Sequence, residues 1–121
     1  LKQSREEIGQ KYIDENEVAW AAGLYEGEGC LREKNGQWAL QLKMTDPDVV
    51  MHFASMYGLK VNAFDYTQPD HYKQCYETQT GKRDLIFKIV SDFYPYLGER
   101  RREKCDEFLA WYQEKQHETS D

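Results

Sequence analysis

The chain has 121 residues, 40% of them hydrophobic and 14% aromatic, and a formal net charge of −6. That length suits one domain, and the composition excludes a disordered chain. No apolar run approaches the ~20 residues of a membrane-spanning helix, and no charged-then-apolar leader opens the sequence. The acidity argues against a nucleic-acid partner, yet half of the excess sits near the termini: residues 17–112 hold twelve bases and fifteen acids. DNA contact needs a basic surface and not a basic total, so the question becomes where the bases lie. Three cysteines, Cys30, Cys75 and Cys105, form no C-x-x-C pair, which points to a reduced, intracellular protein and away from a disulfide or zinc framework.

Residues 1–16 read as a polar tail or short leading helix, 17–113 as the folded domain and 114–121 as a second tail. From Glu17 the run Val18-Ala19-Trp20-Ala21-Ala22-Gly23-Leu24-Tyr25 is helical, with Gly27 and Gly29 ending it. Cys30 to Lys34 reads as a strand. Asn35-Gly36 is a strong hairpin signal, and Gln37 to Thr45 follows with Trp38, Leu40, Leu42 and Met44 on one face. Asp46-Pro47 starts a helix that turns Val49, Val50, Phe53, Met56 and Tyr57 inward and ends at Gly58. Lys60–Tyr66 and Tyr72–Thr80 form a second hairpin about Thr67-Gln68-Pro69-Asp70. After Gly81 comes a helix with Leu85, Ile86, Ile89, Val90 and Phe93 as its apolar stripe, broken at Tyr94-Pro95. A last helix spans Gly98 to Gln113 and turns Cys105, Phe108, Leu109 and Tyr112 to one side. The order αββαββαα predicts an α+β fold in which helices cover one face of a four-stranded antiparallel sheet.

The end of the first helix reads Ala21-Ala22-Gly23-Leu24-Tyr25-Glu26-Gly27-Glu28-Gly29. It resembles the LAGLIDADG signature, with Ala for the first Leu, Tyr for Ile, Gly for the second Ala and Glu for both Asp. The element order, Thr45-Asp46 before the second helix and Pro95-Tyr96-Leu97 ahead of basic residues are also similar to the LAGLIDADG homing endonucleases. The resemblance covers about Val18 to Tyr112, with one motif in the chain. It implies a saddle-shaped sheet and a homodimer that cuts double-stranded DNA at a long, pseudo-palindromic site. It also implies Mg²⁺ as cofactor, with Mn²⁺ or Ca²⁺ able to substitute in binding. The acid at the motif's eighth position, here Glu28, is implied as catalytic and as metal ligand, with the Gly27 carbonyl as a second ligand. Arg100, five places after Pro95, is implied to reach the active site, where it would stabilise charge on the phosphate. Asp46 is implied near the metal site as a third catalytic residue.

Physical chemistry gives each assignment a competing account. Ala19, Ala22, Gly23 and Glu26 share a helical face whose small residues would let a second copy approach closely, forming the dimer interface. The same segment also reads as an ordinary helix with a glycine cap. Arg100 could instead pair with Glu99, Glu103 or Glu107 on a solvated helix, and Asp46 could do no more than cap the second helix. Alternation puts Cys30, Arg32 and Lys34 on one face of the first strand, and Gln37, Gln41 and Lys43 on one face of the second. Asn62, Phe64, Tyr66, Lys73, Glu77 and Gln79 form the outward set of the second hairpin, uncertain by one in register. Arg, Lys and Gln read base edges in the major groove. Glu77 would accept from a cytosine amino group or be repelled by phosphate. Two other functions fit the sequence: a nucleic-acid-binding protein of this fold without cleavage, such as a splicing helper or regulator, and a dimeric interaction protein without nucleic acid.

Overall fold

The computed structural model describes residues 13–68 and 71–120. Among them the elements follow the expected order: α1 (Glu15–Glu28), β1 (Gly29–Lys34), β2 (Gln37–Met44), α2 (Pro47–Met56), β3 (Val61–Gln68), β4 (His71–Thr80), α3 (Arg83–Phe93), a 3-10 turn (Tyr94–Tyr96) and α4 (Glu99–Ser120). The sheet is antiparallel in the order β1-β2-β4-β3, so the two hairpins join through β2 and β4, their second strands.

Local chemistry explains the joints. Asn35 and Gly36 take φ of 54° and 78°, the two left-handed residues that a tight hairpin turn requires. Pro47 stands in the first turn of α2, where its missing N–H has no partner to lose. The Asp14 carboxylate accepts from the Asn16 N–H at 2.7 Å, capping α1 so that it starts at Glu15, inside the stretch expected to be a tail. At the other end α4 runs to Ser120 and takes in most of 114–121. The strands of the second hairpin are also longer than expected. Gln68 pairs with His71, so Thr67 and Gln68 belong to β3; the remaining expected turn residues, Pro69 and Asp70, lie outside the described residues.

The helices cover one face of the sheet. Leu31, Trp38, Leu40 and Leu42 meet Tyr25 of α1, Phe53 of α2, Phe93 of α3 and Phe108 of α4 in one apolar cluster. Phe93 sits at its centre, with ring centroids 5.6 Å from Tyr25, 5.9 Å from Phe53 and 6.0 Å from Tyr57. Val49, expected inward, is only partly buried, and Ala54 takes the inward position on α2.

Candidate active site and nucleic-acid interface

Glu28 ends α1 and Gly29 begins β1, with no loop between them. Gly29 makes that sharp junction possible, because a Cβ there would lie 2.1 Å from the Tyr25 ring. The turn leaves Glu28 exposed, and its carboxylate has no hydrogen-bond or ion-pair partner among the described residues. Gly27 lies in the last helical turn, where carbonyls lack a partner within the helix itself. The Tyr25 carbonyl accepts from the Gly29 N–H, and that of Glu26 accepts from Arg101 Nε at 3.1 Å.

Glu26 faces the opposite way from Glu28. Its carboxylate accepts from the Gly98 N–H at 2.7 Å, while the Arg101 guanidinium lies 5.4 Å from the centre of the Tyr25 ring. These contacts clamp the start of α4 onto the end of α1. Sequence reasoning did not single out Arg101, although it shares a helical stripe with the inward Cys105 and Phe108. Arg102 is also committed, donating to the carbonyls of Tyr94 and Pro95 at 3.1 and 3.0 Å. Lys104 pairs with Glu107 at 3.7 Å. Arg100 is exposed beside the clamp and has no ion pair among the described residues, so its expected pairing with Glu99, Glu103 or Glu107 is absent.

Asp46 stands at the N-cap of α2, but its side chain makes no capping bond. Only its carbonyl takes part, accepting from the Val50 N–H at 3.2 Å, so the simple capping account is corrected. Gly29 pairs with Leu42, which brings the end of β2 and the following Asp46 to the same end of the sheet as Glu28. No three His, Cys, Asp or Glu side chains of one chain converge as a metal cluster among the described residues.

The uncovered sheet face follows the expected alternation. Cys30 pairs with Gln41, Arg32 with Ala39 and Lys34 with Gln37. Gln41 also pairs with Gln79, Lys43 with Glu77 and Glu77 with Asn62. The register of the second hairpin is therefore the one expected, and Tyr66 pairs with Lys73 in the same phase. Arg32 Nη1 donates to Gln41 Oε1 at 2.6 Å, and the Lys43 ammonium lies 4.8 Å from the centre of the Phe64 ring. Arg32, Lys34, Gln37 and Gln79 line an open cleft of ≈ 690 Å³. Cys75, unanticipated here, falls in this phase opposite Phe64 and is buried; inward-facing apolar alternation gave no sign of it.

The expected dimer face needs correction. Ala22 is 0% exposed, packed in its own core, and Glu26 is held by Gly98 and Arg101. The open side of α1 runs through Trp20, Gly23 and Gly27, with Ala19 partly buried alongside, roughly a quarter-turn around the helix from the expected face. A Cβ on Gly23 or Gly27 would meet nothing within 4 Å. Trp20 extends this side toward α2, edge-on to His52 with centroids 4.6 Å apart, and His52 in turn lies 3.2 Å from Glu17. No helix among the described residues is long and apolar enough to cross a membrane.

This architecture is the homing-endonuclease fold. The homing endonuclease I-CvuI, solved with its target in the presence of Ca, matches at a TM-score of 0.59 and 15% identity, over 82% of this chain and 67% of that one. A second I-CvuI structure, with the I-CreI target and Mg and its DNA not cleaved, matches at 0.58 and 14%, over 81% and 66%. The group I intron-encoded homing endonuclease I-CeuI complexed with DNA matches at 0.60 and 12%, over 86% of this chain but 57% of its own. The likeness is thus one of fold, spanning about two thirds or less of those chains. No family model matches the sequence, and no curated protein does.

Proposed function

We propose that this chain is one subunit of a homodimeric, divalent-metal-dependent endonuclease that cuts double-stranded DNA at a long, pseudo-palindromic site. The observation that carries this reading is the uncommitted Glu28 carboxylate, set where α1 meets a polar sheet face in a chain of homing-endonuclease fold. DNA in the similar structures supports the partner, and Ca or Mg in two of them supports the metal.

Two copies packed through Ala19, Gly23 and Gly27 would bring both Glu28 side chains near a two-fold axis. The donors fit a hard cation such as Mg²⁺, since the Glu28 carboxylate and the Gly27 carbonyl are both oxygen ligands. One chain offers too few of them, so the Glu28 side chains of both subunits and DNA phosphates would together hold the cation. A cation held there supplies Lewis acidity for hydrolysis of one phosphodiester bond per strand. Arg100, free of ion pairs among the described residues, stabilises charge on the phosphate. Asp46, free of a capping bond and at the Glu28 end of the sheet, is the third catalytic candidate. The outer sheet face, from Arg32 and Gln41 to Lys43 and Gln79, reads base edges.

Metal-dependent cutting of a selected duplex by wild type and Glu28→Gln tests the reading. Cutting should fall by orders of magnitude in the variant, while folding persists and metal-free DNA binding is unchanged or slightly tighter, because a negative charge leaves each subunit. Equal cutting by both proteins removes Glu28 from the mechanism. Tight binding with no cutting by either favours a cleavage-deficient nucleic-acid-binding protein of the same fold.

A further inference from the structure

The register arranges the outer sheet face in rows, and one row crosses three strands as Lys43, Glu77 and Asn62. Glu77 lies on β4, an inner strand flanked by β2 and β3. Lys43 stands directly opposite it, yet its ammonium lies over the Phe64 ring, 4.8 Å from the centroid, and no salt bridge joins the two. The Glu77 side chain is partly buried and has no hydrogen-bond or ion-pair partner among the described residues. A carboxylate without a protein partner, on a face that otherwise offers Arg32, Lys34 and Lys43, is open to a ligand that donates to it. Its place on an inner strand sets it back from the sheet edges and toward the base edges of a duplex lying along the sheet.

An ionised carboxylate only accepts hydrogen bonds. In the major groove guanine presents acceptors, thymine an acceptor and a methyl group, and adenine an amino group beside the N7 acceptor. Cytosine presents its N4 amino donor alone. We propose that Glu77 is a specificity-determining residue that selects cytosine at one position in each half-site by accepting from the N4 amino group, with the Phe64-held Lys43 set to donate to guanine beside it. This inference rests on the DNA-reading role of the sheet proposed above.

Selection of binding sites from a randomised duplex library, without metal, by wild type, Glu77→Gln and Glu77→Ala tests it. Wild type should enrich cytosine at one position per half-site, and changing that C·G pair to T·A should weaken its binding roughly 10- to 100-fold. Glu77→Gln should exchange that preference for adenine, whose N6 and N7 a glutamine amide matches, and leave every other position unchanged. Glu77→Ala should lose the preference while binding unrelated duplex as tightly or more tightly. Thermal unfolding of both variants like that of wild type excludes misfolding as the cause. Identical preferences in wild type and Glu77→Gln would overturn the assignment while leaving the DNA-reading face intact. A wild type that enriches no sequence would instead sink the DNA-reading function, and this inference with it.

Discussion

The two long sides of α1 both carry small residues, and for opposite reasons. On the sheet side Ala21 and Ala22 are fully buried at 0% exposure. They are small because the helix lies close on its own core, and the Tyr25 ring fills the space beside Gly29. On the other side Gly23 and Gly27 face open space, and Trp20 is 41% exposed. Glycine within a helix costs up to about 1 kcal/mol relative to alanine, and no contact among the described residues offsets that cost at Gly23 or Gly27. A second copy packed along the glycines would. Small residues therefore mark an interface only when their side of the helix is left uncovered.

The sharpest way to break this comparison is to remove packing from the covered side. Tyr25→Ala should lower stability to denaturant by about 3–5 kcal/mol, the range for large buried aromatics. A loss below about 1 kcal/mol would mean that α1 is not anchored through this side. The two glycines flanking Glu28 give the next largest contrast. Gly29→Ala forces a Cβ against the Tyr25 ring and should cost about 1–3 kcal/mol. Gly27→Ala should leave the isolated subunit as stable or more stable by roughly 0.5–1 kcal/mol, because alanine is the better helix former. Similar unfolding curves for the two variants would erase the distinction between the sides.

Gly23→Leu sharpens the comparison from the open side. The isolated subunit, unfolded at low protein concentration, should be as stable as wild type or more stable, because leucine is the better helix former, while sedimentation should shift from dimer to monomer through an overlap costing the interface about 1–3 kcal/mol or more. A Gly23→Leu protein that sediments as a dimer would move the interface elsewhere. The smallest effect is in pH. Burial pushes the Cys105 thiol up to about 11 from an ordinary 9.0, with Asp106 adding to the shift. Burial also raises the Tyr25 hydroxyl above its ordinary value. Both groups are neutral in the fold and ionise more readily once unfolded. The Cys105 contribution to stability is therefore complete below pH 9.0 and falls as pH rises toward about 11, and that of Tyr25 falls only above its ordinary 10.0. Thermal unfolding across that range should show the decline, and a thiol reagent at neutral pH should modify Cys30 well before Cys105. Equal modification of the two would place Cys105 outside the core.

Much of this was legible in the residues. Alternation from Trp38 to Met44 fixes which side of β2 is covered, and Asn35-Gly36 fixes the turn, because a period of two and a demand for positive φ are local properties of the chain. The outward phase of Arg32, Gln41, Lys43, Glu77 and Gln79 follows from the same period once one position is anchored. The acidic end of α1 was equally plain, since Gly-Glu-Gly after a helical run leaves Glu28 at a boundary.

Other features were settled only by elements remote in sequence. The clamp from Gly98 and Arg101 to Glu26 joins residues more than seventy positions apart, and it turned one expected interface residue inward. Packing of α1 on the sheet likewise took Ala22 into the core and left Gly23 and Gly27 outside. Arg100 was separated from Arg101 and Arg102 by which carbonyls and rings came within reach, a distinction invisible in a run of three arginines. Sequence determined the elements, the faces of the strands and the position of Glu28, because backbone stereochemistry and hydrophobic period act over a few residues. Tertiary structure decided which small residues stay open and which charges stay uncommitted, because burial and partner choice depend on what the rest of the chain brings alongside.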